Sequence, residues 1–173
     1  MAKPRILLAD GHPAILSALQ ALLKEFGEVV ATVADGCALV EAAQRLKPDI
    51  IFSDISIPKL NGFEATRTVR RSVPQSKVII LTAYPDPIYV TLAFEAGAHG
   101  YLLKRTSLVT ELPQALLHVL AGDRYIGLGA REEWLPVDRD EAPKFSRKLS
   151  GCREVAEATG NGISGRHKQS AMN

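Results

Sequence analysis

Asp49-Ile50-Ile51-Phe52-Ser53-Asp54 is the stretch on which the fold turns. Its apolar residues follow one another without polar alternation, as they do in a strand buried on both faces of a parallel sheet. Runs of similar length and character occur at Arg5–Ala9, Glu28–Ala34, Lys77–Leu81 and Gly100–Leu103. Between the runs the apolar residues recur at three and four positions, the spacing of a helix face. Ile15, Leu16, Leu19, Leu22 and Leu23 do so before Gly27, and Leu39, Val40, Ala43 and Leu46 before Pro48. Phe63, Thr66, Val69 and Arg70 form a weaker set, Ile88, Thr91, Leu92 and Ala96 precede Gly97, and Leu112, Leu116 and Val119 precede Gly122. Glycine and proline thus punctuate the helix ends. Five β–α units in series predict an α/β fold, a doubly wound five-stranded parallel sheet with helices on both faces and right-handed crossovers.

Composition narrows the class further. With 46% hydrophobic and 23% charged residues, the chain is neither disordered, collagen-like nor coiled-coil. Its 173 residues suit one domain and a shorter appendage. A net charge of +2, from 21 basic and 19 acidic residues, is not that of a polycation built for nucleic acid. Cys37 and Cys152 have no spacing that suggests a disulfide scaffold or a zinc site. The N-terminus lacks a signal peptide's long apolar region, and no apolar stretch is long enough to span a membrane. A soluble cytoplasmic protein is expected. From Gly122 onward glycine, proline and dense charge read as a linker over residues 122–143. Residues 144–173 hold six Lys and Arg against two Glu, with too little apolar content to close a core.

In an open α/β sheet the ligand site lies beyond the carboxyl ends of the strands. Asp10, Asp54, Thr82 and Lys104 fall there, at the ends of the first, third, fourth and fifth runs. Two carboxylates, a hydroxyl and an ammonium suit a phosphoryl group and a divalent cation. Carboxylates hold a hard metal, the ammonium neutralises phosphate charge, and a carboxylate can itself become an aspartyl-phosphate. Any one of these residues alone is most often a helix N-cap or a turn former. Their joint placement at one edge carries the reading.

Four segments tie this pattern to a known family. They are Ile6-Leu7-Leu8-Ala9-Asp10-Gly11-His12-Pro13, the stretch from Asp49 through Ser56-Ile57-Pro58-Lys59-Leu60-Asn61-Gly62, Ile80-Leu81-Thr82-Ala83, and Ala96-Gly97-Ala98-His99-Gly100-Tyr101-Leu102-Leu103-Lys104. In order and spacing, residues 4–121 resemble the receiver domain of two-component response regulators of the NarL/FixJ, LuxR-type group. The resemblance implies a flavodoxin-like sheet of order 2-1-3-4-5 over residues 1–121. It implies that Asp54 is the phospho-acceptor of a histidine kinase, with Thr82 the switch hydroxyl and Lys104 the phosphate-binding ammonium. Tyr101 takes the aromatic switch position; read without the resemblance it is a core ring. Asp10, Asp54 and the backbone carbonyl of Ser56 become Mg²⁺ ligands, and the side chains of Ser56 and Tyr84 tune hydrolysis of the aspartyl-phosphate. His12 belongs to the group's Asp-His-Pro signature, in a structural role.

Two departures qualify this. The family places two adjacent acids after the first strand, whereas this chain has Asp10-Gly11. Loss of that carboxylate should weaken Mg²⁺ binding. Lys104 is followed by Arg105 instead of the proline many receivers carry, so a trans or shifted loop is expected there. In the tail, Lys148-Leu149-Ser150-Gly151-Cys152-Arg153-Glu154-Val155 resembles the opening of a LuxR-type helix-turn-helix. The resemblance then dissolves before a recognition helix, so residues 144–173 read as an incomplete or mobile remnant. The expected function is a phosphorelay signalling switch, not an enzyme, with a histidine kinase as partner and a homodimer left open. Two alternatives stand beside it: a phosphorylation-independent interaction module, and a transcription regulator if a complete DNA-binding domain exists elsewhere. Sequence-specific DNA binding by this chain itself is not expected.

Overall fold

A computed structural model of the chain describes residues 3–105 and 108–131. The elements run β1 Arg5–Ala9, α1 Pro13–Leu23, β2 Glu28–Val33, α2 Gly36–Leu46, β3 Ile50–Ser53, α3 Gly62–Ser72, β4 Lys77–Thr82, α4 Pro87–Glu95, β5 Gly100–Leu103, α5 Leu108–Ala121, β6 Tyr125–Ile126 and α6 Leu128–Arg131. They build one parallel sheet in the order β2-β1-β3-β4-β5-β6.

The unbroken apolar runs find both sides covered. Leu7, Ala9, Ile51, Val78, Ile80, Tyr101 and Leu103 face α2, α3 and α4. Their chain neighbours Ile6, Leu8, Ile50, Phe52, Ile79, Leu81 and Leu102 face α1 and α5. This two-residue alternation between two apolar cores is what a doubly wound sheet requires of its strands. Edge strand β2 is only partly covered, and its Glu28 and Thr32 are exposed.

Helices α2, α3 and α4 start on side-chain caps. Asn61 accepts from the Phe63 and Glu64 amides at 3.0 Å each, and its Nδ2 reaches Glu64 Oε2 at 3.0 Å, so the start of α3 is closed from both directions. Asp35 caps α2 through the Ala38 amide, and Asp86 with Pro87 begins α4. Gly62 fixes the approach of α3 to the sheet. A Cβ there would run into the Asp54 carbonyl, so only glycine lets the helix start sit this close to the end of β3.

The expectation of five strands falls one short, and the expected linker begins too early. Tyr125 and Ile126 pair with Gly100 and Tyr101 of β5. The Tyr125 amide donates to the His99 carbonyl at 3.0 Å and the Gly127 amide to the Tyr101 carbonyl at 2.9 Å. Tyr125 and Ala130 are buried. A two-residue strand carries no periodicity, and the flanking Gly122, Gly127 and Gly129 mimic linker composition; burial against β5 and α5 makes the difference. The described peptide bonds are trans, including the one joining Lys104 to Arg105. The rest of the expected linker and the expected helix-turn-helix remnant at 144–173 lie outside the described residues.

Candidate functional site

Three strands and the turns that follow them set the site. Asp10 follows β1, Asp54 follows β3, and Lys104 follows β5, all at the carboxyl edge of the sheet. The Asp54 amide donates to the Ala9 carbonyl and the Lys104 amide to the Thr82 carbonyl, so the strand ends are tied to one another. The Lys104 ammonium lies between the acids, 2.5 Å from Asp10 Oδ2 and 3.0 Å from Asp54 Oδ2. The second oxygen of each acid is held by backbone. Ile55 N–H donates to Asp54 Oδ1 at 2.8 Å, and His12 N–H donates to Asp10 Oδ1 at 2.9 Å with the ring Nδ1 at 3.2 Å. Asp10 is 1% exposed and Asp54 6%, so both charges are tolerated only because they are paired and hydrogen-bonded.

Thr82, the last residue of β4, is fully buried, and its Oγ1 accepts from the Tyr84 amide at 3.3 Å. Tyr84 and Ser56 form a second group at the rim, joined through their hydroxyls at 3.0 Å. The Tyr101 ring is completely buried, and its hydroxyl donates to the Tyr84 carbonyl at 2.7 Å. Burial first, then the nearby Tyr89, Asp86 and Asp54, push that hydroxyl far above the usual tyrosine range, so it acts only as a neutral donor. Asp10, expected from the sequence to be a metal ligand, is in the structure the counter-ion of Lys104. His12 sits at the start of α1 and braces Asp10.

Nothing in the spacing of residues announced the pocket beside this rim. Ile55, Ser56, Ile57, Asn61, Phe63, Tyr84 and Tyr89 line a hollow of about 190 Å³. The Tyr84 and Tyr89 rings lie 5.0 Å apart, and Phe63 stacks on Tyr89 at 6.4 Å. Only the helical spacing of Phe63 hinted at burial, and Tyr89 carried no signal at all.

The buried strand-end carboxylate shares one lysine with a second acid, and residues 6–116 match the response regulator receiver domain. The chain belongs to that family. This receiver is 39% identical over 127 residues to the transcriptional regulatory protein DegU of Brevibacillus brevis, a match covering 72% of this chain and 53% of DegU. It is 33% identical over 129 residues to the transcriptional regulatory protein MctR of Rhizobium johnstonii, covering 73% and 60%. The chain thus spans a little over half the length of the curated relatives it matches. Among solved structures, a two-component response regulator of the LuxR family from an Aurantimonas species superposes with a TM-score of 0.72 at 33% identity, covering 76% of this receiver and 95% of that chain. Among the described residues, no helix is long and apolar enough to cross a membrane.

Proposed function

We propose that this receiver is a cytoplasmic signalling switch in which Asp54 accepts a phosphoryl group from a histidine kinase. The surface of its last helices then changes to control a partner or dimerisation. The supporting observation is the set of bonds on Asp54. One oxygen is fixed by the Ile55 amide and the other is shared with Lys104.

The chemistry follows from these groups. An Asp54 oxygen forms a bond to phosphorus as the phosphorus–nitrogen bond of the donor phosphohistidine breaks. The imidazole leaves with that electron pair and takes a proton from solvent. Lys104 then holds a phosphoryl oxygen instead of the bare carboxylate, and the Thr82 hydroxyl donates to another. The exposed Tyr84 and Ser56 hydroxyls, tied to each other, govern how water reaches the acyl phosphate. The protein modifies and demodifies itself and turns over no separate substrate.

Asp10, Asp54 and the Ser56 carbonyl are hard oxygen donors of the kind Mg²⁺ takes. The set fits the ion weakly, because a Cβ at Gly11 would stand 3.8 Å from the Ser56 oxygen, where the missing carboxylate would have projected. When bound, Mg²⁺ neutralises charge on the phosphoryl oxygens.

The Lys104 bridge also favours a second reading, an interaction module that works without phosphorylation, since the two acids already share a cation. Intact-mass analysis with a small-molecule phosphodonor separates the two. Added phosphoryl mass that vanishes in Asp54→Ala supports the switch. No added mass at any Mg²⁺ concentration leaves the binding module.

A further inference from the structure

We propose that the amino edge of the sheet, opposite Asp54, holds a binding site for a diphosphate group, built from Arg70, Lys77, His99 and Arg124. The site is independent of the chemistry at Asp54. Strand register brings these groups together. The Val78 carbonyl accepts from the His99 amide at 2.7 Å, and the His99 carbonyl accepts from the Tyr125 amide at 3.0 Å. His99 and Arg124 therefore stand level with Val78, on the face covered by α3 and α4 and one strand spacing apart, about 4.8 Å. The Arg124 guanidinium accordingly lies 5.2 Å from the centre of the Phe94 ring on α4. Lys77 opens β4 on the other side of His99.

Arg70 reaches the same edge from α3. Its Nη1 donates to the Pro74 carbonyl at 2.6 Å and to the Ser76 carbonyl at 3.2 Å, just before β4 begins. Its stem rests against the turn before β5, where a Cβ on Gly97 would stand 2.9 Å from Arg70 Cγ. Arg70, Lys77 and His99 are half-buried, so their stems are packed and their polar ends are confined to this edge.

The cations have no counter-ions. Among the described residues, Lys59 and Lys104 pair with carboxylates, but Arg70, Lys77 and Arg124 form no ion pair. The acids on neighbouring elements are occupied or turned to solvent. Asp49 Oδ2 accepts from the Arg5 amide at 2.7 Å, Asp123 lies 3.5 Å from the His118 ring, and Glu95 is exposed at the end of α4. The positive potential is felt by the imidazole: burial first, then Arg70, Lys77 and Arg124, hold its pKa down to about 4. The ring is neutral at pH 7. Val78 N–H donates to Nδ1 at 3.2 Å, so the ring hydrogen is on Nε2, which has no partner among the described residues. Three cations and one neutral N–H donor thus face an anion, and arginine's planar fork suits phosphate oxygens in particular. A single tetrahedral anion meets only part of a row that crosses three strands. Two linked phosphates bridge neighbouring strands and carry enough charge to offset all three cations.

The test uses the full chain in chelator at low salt and pH 7, with amide NMR signals followed as inorganic pyrophosphate or, separately, ADP is added. The Lys77, Val78, His99 and Arg124 amides should shift and saturate, while the His12 and Ile55 amides at the opposite edge stay in place. Bound pyrophosphate should raise the His99 titration midpoint by about one pH unit, since it sets negative charge beside the ring. Lys77→Gln and Arg124→Gln should each weaken binding about three- to fivefold, and together about tenfold or more. Lys24→Gln, which removes an exposed charge after α1, should leave it unchanged and so separates the site from net charge. Equal or weaker binding of ADP assigns the site to inorganic diphosphate, and tighter binding assigns it to a nucleoside diphosphate. Shifts that do not saturate, a stationary His99 midpoint, or affinity unchanged in the double variant would each overturn the site.

Discussion

Replacing Gly11 with aspartate puts a carboxylate at the one place where the donor set is short. The backbone accepts it. Gly11 lies outside the left-handed region, and an added Cβ meets only Pro58 Cδ at 3.6 Å and the Ser56 oxygen at 3.8 Å, ordinary contacts. A divalent cation about 4 Å from one new negative charge gains about 2 kcal/mol in the limit of bulk water, twice the value for two unit charges. Position 11 is half-buried, so that limit is a floor. At 1.36 kcal/mol per decade, the Mg²⁺ midpoint should fall by about thirtyfold or more. Without cation the sign reverses. Two acids against Lys104 become three, the local charge goes from −1 to −2, and stability should drop by about 1 kcal/mol. Thermal unfolding across an Mg²⁺ series with no phosphodonor reads both effects. Gly11→Asp should melt a few degrees below the parent in chelator and above it at high Mg²⁺. A midpoint within threefold of the parent, or a higher melting temperature in chelator, would refute the reasoning.

Three further outcomes follow from the geometry. Tyr84→Ala, which removes the ring bonded to Ser56 at the rim, should shorten the lifetime of phosphorylated Asp54 several-fold; a longer lifetime by intact-mass decay would contradict the shielding role. His99 accepts the Val78 amide on Nδ1 at 3.2 Å, and burial, then Arg70, Lys77 and Arg124, hold its pKa down to about 4 from 6.5. The unfolded chain therefore binds the proton first as pH falls, so stability is full above about pH 6.5 and declines toward pH 4. The loss should be about 1 kcal/mol after discounting for partial exposure, and His99→Gln should flatten that part of a urea-denaturation pH profile. Asn61→Ala removes both amide acceptances at the start of α3 and should cost about 1–2 kcal/mol in urea unfolding, with an unchanged m-value.

The sheet was legible because its strands are buried on both faces. Ile50, Ile51 and Phe52 can be apolar in succession only where helices cover each side, and that condition also fixes the parallel layering. Strand-end position was legible too, so the sequence alone gathers Asp10, Asp54, Thr82 and Lys104 at one edge. What sequence could not supply was pairing. Nothing in the spacing says that Lys104 bridges the two acids rather than resting on one, because that depends on side-chain reach across three strands. β6 escaped for the opposite reason. Tyr125 and Ile126 are too few to show a period, and their order comes from β5 and Glu111 rather than from themselves. Tyr89 went unnoticed since its ring partners, Phe63 and Tyr84, come from other parts of the chain.

The shared lysine also restricts the order in which this site could decay. A chain that lost Lys104 first would leave Asp10 and Asp54 buried side by side with no cation between them, at a cost of several kcal/mol to the whole domain. Losing an acid first relieves repulsion and leaves the remaining charges better balanced. A chain indifferent to phosphate would therefore shed one of its two acids before Lys104, since either acid alone still finds its cation there.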